Sequence, residues 1–366
     1  MDYHNPRLIV ESSIVPDGAI RWRSPSNIAL VKYWGKYGNQ LPRNPSISLT
    51  LSAAATDTTL HYGPKQTNKD VELEFSFAGE ARPDFAEKIA QYLRSLIPVF
   101  PFIRQFHFRI ESSNSFPHSA GIASSASAMS ALALCLCSLE QVLFGTLEDL
   151  DDFFQKASYL ARLGSGSACR SVYPYVAVWG ETSDIPGSSN LYAIPYAEQV
   201  HEVFHTYHDD ILIISKAEKS VSSRAGHALM EGNIYADNRY LQARQRLGRL
   251  SSAMRTGDLE TFGEITEAEA LTLHALMMTS LPPYLLLEAN SLIAIRKVQA
   301  WRKDTGLPLY FTLDAGPNLH LLYPNNIAEE AKQFIRTELA PLCHEQVYIA
   351  DRCGIGPEQL EASKLS

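Results

Sequence analysis

Residues 117–126 read Pro-His-Ser-Ala-Gly-Ile-Ala-Ser-Ser-Ala and lead from a strand pattern at 106–111 into an apolar helix that ends near Phe144. A chain that enters a helix this way presents free backbone N–H groups and the positive end of the helix dipole at the junction. Gly121 and Ala123 leave the backbone open to the oxygens of an anion. Ser119, Ser124 and Ser125 add hydroxyls, and either Ser124 or Ser125 suits Mg²⁺ as well as phosphate. The pattern GxxxxGK[ST] does not occur, so the junction is not a Walker loop. A helix start capped by Ser reads the same way from sequence.

The elements around this junction mix α and β. Strand patterns fall at 46–52, 56–62 and 71–77, where Val71, Leu73, Phe75 and Phe77 alternate with polar residues. Helical patterns follow at 84–96 and 147–163, and a strand at 172–179 closes this half. The second half opens with a strand at 211–215. Helical patterns cover 220–233, 236–256, 259–278 and 287–305. Strands at 309–313 and 319–323 flank an Asp-Ala-Gly-Pro-Asn turn, before a helix at 327–339 and a strand at 347–351. The expected class is α+β in two domains, 1–200 and 201–366, with the boundary inside 181–208.

Net charge is −8 and no Lys/Arg run exceeds two residues, which argues against a sequence-independent hold on nucleic acid. The five cysteines are irregularly spaced and odd in number, which fits a reducing, cytoplasmic setting rather than a disulfide framework. The N-terminus lacks the basic and apolar regions of a signal peptide. The longest apolar stretch, 128–139, is interrupted by serines and is short for a bilayer, so no membrane partner is expected.

Three further segments carry reactive side chains. Gly164-Ser165-Gly166-Ser167-Ala168-Cys169-Arg170 offers bare backbone, hydroxyls and a guanidinium suited to a second anion; a flexible turn before a surface Arg reads alike. Asn27-Ile-Ala-Leu-Val-Lys32-Tyr33-Trp34-Gly-Lys36 brackets an aromatic pair with two lysines, as exposed lysines around a core Trp also would. Thr312-Leu-Asp314-Ala-Gly-Pro-Asn delivers one carboxylate to a turn, where it can take a proton or merely serve the turn.

The order of these four segments resembles the diphosphomevalonate decarboxylase family, within the superfamily of galactokinase, homoserine kinase, mevalonate kinase and phosphomevalonate kinase. The likeness runs from about Ser24 to Tyr323. It implies the GHMP-kinase-like fold, with an N-terminal half like ribosomal protein S5 domain 2, a ferredoxin-like C-terminal half, and an active-site cleft between them. It also implies ATP, Mg²⁺, a mevalonate 5-diphosphate substrate and a homodimer. By this resemblance Asp314 orients and deprotonates the 3-hydroxyl, and Lys32 neutralises charge at the transferring phosphoryl. Arg170 holds the substrate carboxylate, supported by Asn27. Tyr33, Lys36, Ser165, Gly166 and Ser167 cradle the substrate, and Ser223 and Arg224 add a diphosphate contact. Ser119, Gly121, Ala123, Ser124 and Ser125 face the nucleotide.

The chain departs from the family pattern in places. His118-Ser119-Ala120 stands for Thr-Ala-Ala, Pro45 interrupts Asn-x-Ser-Ile-Ser, and Tyr173-Pro174 stands for Gly-Gly. The segment after Cys343 finds no counterpart. Other readings are a superfamily kinase that stops after phosphorylation, a decarboxylase of mevalonate 5-phosphate, or a non-catalytic sensor on the same fold; retention of Asp314, Lys32 and Arg170 favours the full reaction. His201-Glu-Val-Phe-His205 matches HExxH, but a zinc protease needs both histidines on one helix face, and a strand pattern begins by Ile211. No zinc site is expected.

Overall fold

The computed structural model describes residues 3–11, 15–117, 122–217 and 221–362. In chain order the elements are β1 (Gly18–Val31), β2 (Lys36–Tyr37), β3 (Leu41–Pro42), β4 (Ser46–Pro64), β5 (Glu72–Phe77), β6 (Glu80–Ala81), α1 (Pro83–Leu96), β7 (Phe106–Asn114), α2 (Ser124–Phe144), α3 (Leu150–Gly164), β8 (Val176–Trp179) and β9 (Ala193–Pro195). There follow β10 (His208–Leu212), α4 (Ser223–Ala228), α5 (Ala236–Thr256), α6 (Leu259–Met278), α7 (Ala289–Thr305), β11 (Tyr310–Thr312), β12 (Leu319–Tyr323), α8 (Ala328–Phe334), β13 (Tyr348–Ile349) and β14 (Glu358–Leu360).

The first sheet runs β14-β1-β4-β7-β5-β6, with β8 and β9 continuing from β4. Its strands are antiparallel except where β5 runs parallel to β7. The second sheet, β11-β12-β10-β13, is antiparallel throughout; α6 and α7 pack on its β11, and α5 lies between α6 and the first sheet. The two-domain α+β class expected from sequence is the one observed.

α2 holds the first half together. Leu132, Leu136 and Leu139 share one face of it and Leu134 lies on the opposite one, all in the core, and a helix apolar all round is stable only when wholly surrounded. It packs between β1, β4 and α3. At 21 residues and mean hydropathy 1.6 it is long and apolar enough to cross a bilayer, which corrects the shorter stretch read from sequence; two-thirds of that window is nonetheless buried within the protein.

Several boundaries differ from the sequence reading. The patterns at 46–52 and 56–62 are one strand, whose pairing with β1 shifts register between Thr50 and Ala55 and then resumes. β1 begins at Gly18, well before the Lys-Tyr-Trp segment. The strand expected at 211–215 is β10, shifted to His208–Leu212, and beyond it Ser215 exchanges hydrogen bonds with the Asn318 side chain at 3.0 and 3.1 Å. The helix expected at 220–233 is only α4, and that at 327–339 turns π-helical at Ile335. The segment after Gly164 is a buried 3-10 helix, Gly166–Val172, rather than a flexible turn.

The tail after Cys343, which had no assigned counterpart, ties the two halves together. β13 edges the second sheet, and β14 then pairs with β1 of the first. Between them the Asp351 carboxylate accepts the backbone N–H groups of Ser52, Ala53 and Ala54 at 2.9, 2.7 and 2.7 Å. Gly354 passes so close to β4 that a Cβ there would meet the Leu51 carbonyl oxygen at 2.3 Å. Asp351→Ala leaves three N–H groups at the joint without an acceptor and is expected to cost about 3 kcal/mol, read as a lower urea midpoint. An unchanged midpoint would mean that the joint contributes nothing to stability.

Candidate active site

The end of β1 and the turn after it carry Lys32, Tyr33 and Lys36 into a cavity of 520 Å³ between the two halves. Lys32 is 1% exposed, and its ammonium lies 2.9 Å from the Asp314 carboxylate, delivered from the second half by the turn between β11 and β12. Burial pulls the Lys32 ammonium below its ordinary range, and Asp314 and then Glu269 pull the other way. The Asp314 backbone carbonyl is within 3.1 Å of His274 Nε2 on α6. The lysine is thus no exposed flank of a core Trp, and the aspartate does more than serve its turn.

Lys32 is also fixed through its main chain. Its N–H donates to Glu269 on α6 at 2.9 Å, while Asn44 and Arg239 donate to its carbonyl at 3.1 and 3.2 Å. Glu269, itself fully buried, accepts Arg239 in both oxygens and Arg246 at 2.9 Å. Opposed by burial, those cations still hold its carboxyl below the ordinary range.

Arg170 comes from the buried 3-10 helix and makes no ion pair among the described residues. Its guanidinium donates to Ser46 Oγ at 2.6 Å, Ser48 Oγ at 3.1 Å and Asn27 Oδ1 at 3.1 and 3.3 Å. Asn27 in turn donates to Ser171 Oγ at 2.8 Å and to the Ser167 carbonyl at 3.2 Å. A buried cation surrounded only by neutral acceptors has room in its electrostatics for an anion. Beside it the Tyr33 hydroxyl is buried without a hydrogen-bond partner, and burial raises its pKa, so the phenol keeps its proton for donation.

At the opposite wall, α2 begins with Ala123 in the left-handed region, and among the described residues no side chain caps its first turn. Such an unclaimed helix start is suited to phosphate oxygens. Ser125 lines the cavity, with its Oγ 3.2 Å from Ser165 Oγ, whereas Ser124 does not line it. Of the two serines considered for Mg²⁺, Ser125 is thus the one that faces the cavity. Among the described residues no group of three or more His, Cys, Asp or Glu is placed to hold a metal. The donor set fits an ion carried chiefly by phosphate oxygens, with one or two protein oxygens completing its shell.

The other expected residues converge as well. Ala123, Ser165, Gly166, Ser167, Ser223 and Arg224 line the same cavity as Lys32, Arg170 and Asp314. Asn27 stands behind Arg170 and does not line it. Ser119 and Gly121, with His118, lie outside the described residues. The HExxH segment forms a short 3-10 helix in which His201 Nδ1 accepts the Val203 N–H and His205 Nε2 lies 3.0 Å from the Ala197 carbonyl. Sequence reading missed Glu269, Arg239, Asn44 and His227. The one available signal was an acidic residue inside the apolar helix 259–278.

Fold and cavity together define an enzyme of the two-domain, GHMP-kinase-like class. Residues 24–192 match the diphosphomevalonate decarboxylase-like N-terminal domain, and residues 210–362 match the mevalonate 5-diphosphate decarboxylase C-terminal domain. The diphosphomevalonate decarboxylase mvd1 of Aspergillus fumigatus is 30% identical over 87% of this chain and 80% of its own length. The mevalonate diphosphate decarboxylase from Staphylococcus aureus superposes with a TM-score of 0.80 at 29% identity, covering 94% of this chain and 99% of the other. The complex of MDDEF with MVAPP, AMPPCP and magnesium superposes with a TM-score of 0.79 at 30% identity, covering 95% and 100%. This chain belongs to the diphosphomevalonate decarboxylase family. The match through residue 362 brings the tail after Cys343 inside the family's domain.

Glu269→Gln leaves two arginines around a neutral amide and is expected to cost about 3–5 kcal/mol, read as a lower urea midpoint. A variant as stable as the parent would show that Arg239 and Arg246 find other partners.

Proposed function

We propose that this chain uses ATP with Mg²⁺ to phosphorylate the 3-hydroxyl of mevalonate 5-diphosphate, then releases phosphate and CO₂ to leave isopentenyl diphosphate. The observation that carries the reading is the Lys32–Asp314 pair at 2.9 Å, facing one cavity with the unpaired cation of Arg170. The MDDEF complex with MVAPP, AMPPCP and magnesium supports the same substrates.

Asp314 accepts the proton of the tertiary hydroxyl and aims its oxygen at the terminal phosphorus. Lys32 stands beside it with the positive charge that the transferring phosphoryl needs; such transfer rests mainly on positioning and electrostatics. Mg²⁺, when bound, would neutralise charge on the nucleotide phosphates, and the Ser125 hydroxyl could contribute to holding it. The uncapped first turn of α2 receives phosphate oxygens. Arg170, held by Asn27, Ser46 and Ser48, pins the substrate carboxylate. The C3–O bond then breaks with its electron pair leaving on phosphate, and the pair from the bond to the carboxylate carbon forms the alkene as CO₂ departs. Tyr33, Lys36, Ser165 to Ser167, Ser223 and Arg224 hold the rest of the substrate.

In this reading residues 1–200 supply the nucleotide side and Lys32, while 201–366 supply Asp314, Ser223 and Arg224. The protein acts in the cytoplasm, which the five free, buried cysteines support, and works as a homodimer. Sedimentation tests the latter.

Purified chain with ATP, Mg²⁺ and mevalonate 5-diphosphate is expected to release one CO₂ for each ATP consumed. ATP use without CO₂ would reduce the protein to a kinase, and turnover only of mevalonate 5-phosphate would reassign the substrate. Asp314→Asn is expected to lower kcat by about 10² or more while ATP affinity holds. Near-normal turnover in that variant would remove Asp314 from its role.

A further inference from the structure

His227 lines the cavity, yet neither sequence signature nor family resemblance gave it a role. It follows the Ser222-Ser223-Arg224 turn in α4, and its ring is held against two successive aromatic side chains of the opposite half. Ring centroids are 4.5 Å apart for both Tyr33 and Trp34. α4 can come this close because Gly226 faces Trp34, where a Cβ would meet the indole at 2.6 Å. The His227 Nδ1 accepts the Gly35 N–H at 3.0 Å. With Nδ1 committed as an acceptor, the proton of the neutral ring sits on Nε2. Burial, followed by the nearby Lys36 charge, pushes the imidazole down to about 3, so the ring is neutral across the physiological range.

Its surroundings call for an anion. Lys36 Nζ donates to the neutral Gln40 amide at 2.9 Å, and burial and then Arg224 depress its ammonium. Among the described residues neither Lys36 nor Arg224 has a carboxylate partner. Two cations and a fixed N–H donor therefore line one end of the cavity, with Lys32, Arg170 and Asp314 also on its wall. A third positive charge there would add repulsion, whereas an uncharged donor adds a directed hydrogen bond without it.

We propose that His227 donates its Nε2–H to the diphosphate group of the substrate and so helps the site prefer a diphosphate to a monophosphate. This rests on the proposed reaction for the identity of the substrate, though not for the diphosphate itself. His227→Met keeps bulk against Tyr33 and Trp34 but removes both nitrogens; His227→Gln restores an acceptor and a donor. Inorganic pyrophosphate is titrated calorimetrically into the parent and both variants, and steady-state constants are measured with mevalonate 5-diphosphate and 5-phosphate.

His227→Met is expected to weaken pyrophosphate binding about tenfold, the size of a hydrogen bond to a charged acceptor. The loss on mevalonate 5-diphosphate should fall on KM rather than kcat, with the KM for ATP unmoved and His227→Gln recovering most of it. In the parent, the ¹⁵N resonance of His227 Nε2 should move when pyrophosphate is added. Unchanged pyrophosphate affinity in His227→Met, or equal losses in Met and Gln variants, would overturn the inference. If the parent releases no CO₂ but pyrophosphate binding still depends on His227, the proposed reaction falls and the diphosphate contact stands.

Discussion

One buried carboxylate organises the reactive end of the cleft. Glu269 sits on a helix of the second half, yet it receives the main-chain N–H of Lys32 from the first half, and the two arginines that neutralise it also reach that strand's carbonyl and α6. Holding a lysine by its backbone frees the ammonium to face Asp314. The cost of burying Glu269 with its two arginines is met only while all three stay paired. The placement of Lys32 and one of the attachments between the halves thus rest on the same interaction.

The rest of the cleft follows the opposite logic. Arg170, Lys36 and Arg224 have no carboxylate partners among the described residues, and Arg170 is wrapped in neutral oxygens. Compensating carboxylates would stabilise the free protein and compete with every anionic substrate. Leaving these cations uncompensated moves their neutralisation to the bound state, which is how a protein of net charge −8 can hold polyanions.

What could be read from sequence was what lies in short contiguous signatures. Lys32, Arg170 and Asp314 stand in segments that each left a bland reading open but whose order carried the family resemblance, and α5 and α6 showed their extents through periodicity. Glu269 escaped because its meaning depends on a partner 237 positions away, which no local pattern encodes. His227 escaped because a lone histidine acquires direction only once Tyr33, Trp34 and Gly35 close around it. Short strands were lost for a related reason: Glu358–Leu360 has no apolar alternation and exists because β1 offers it an edge.

That last pairing bears on how the molecule is made. β1 is synthesised well before β14, because the whole second half lies between them in the chain. Until β14 has been made the first sheet keeps an open edge, and until then the Ser52 to Ala54 amides wait for Asp351. The first half is therefore born with its own border unfinished, and only a product that extends through β14 can seal it.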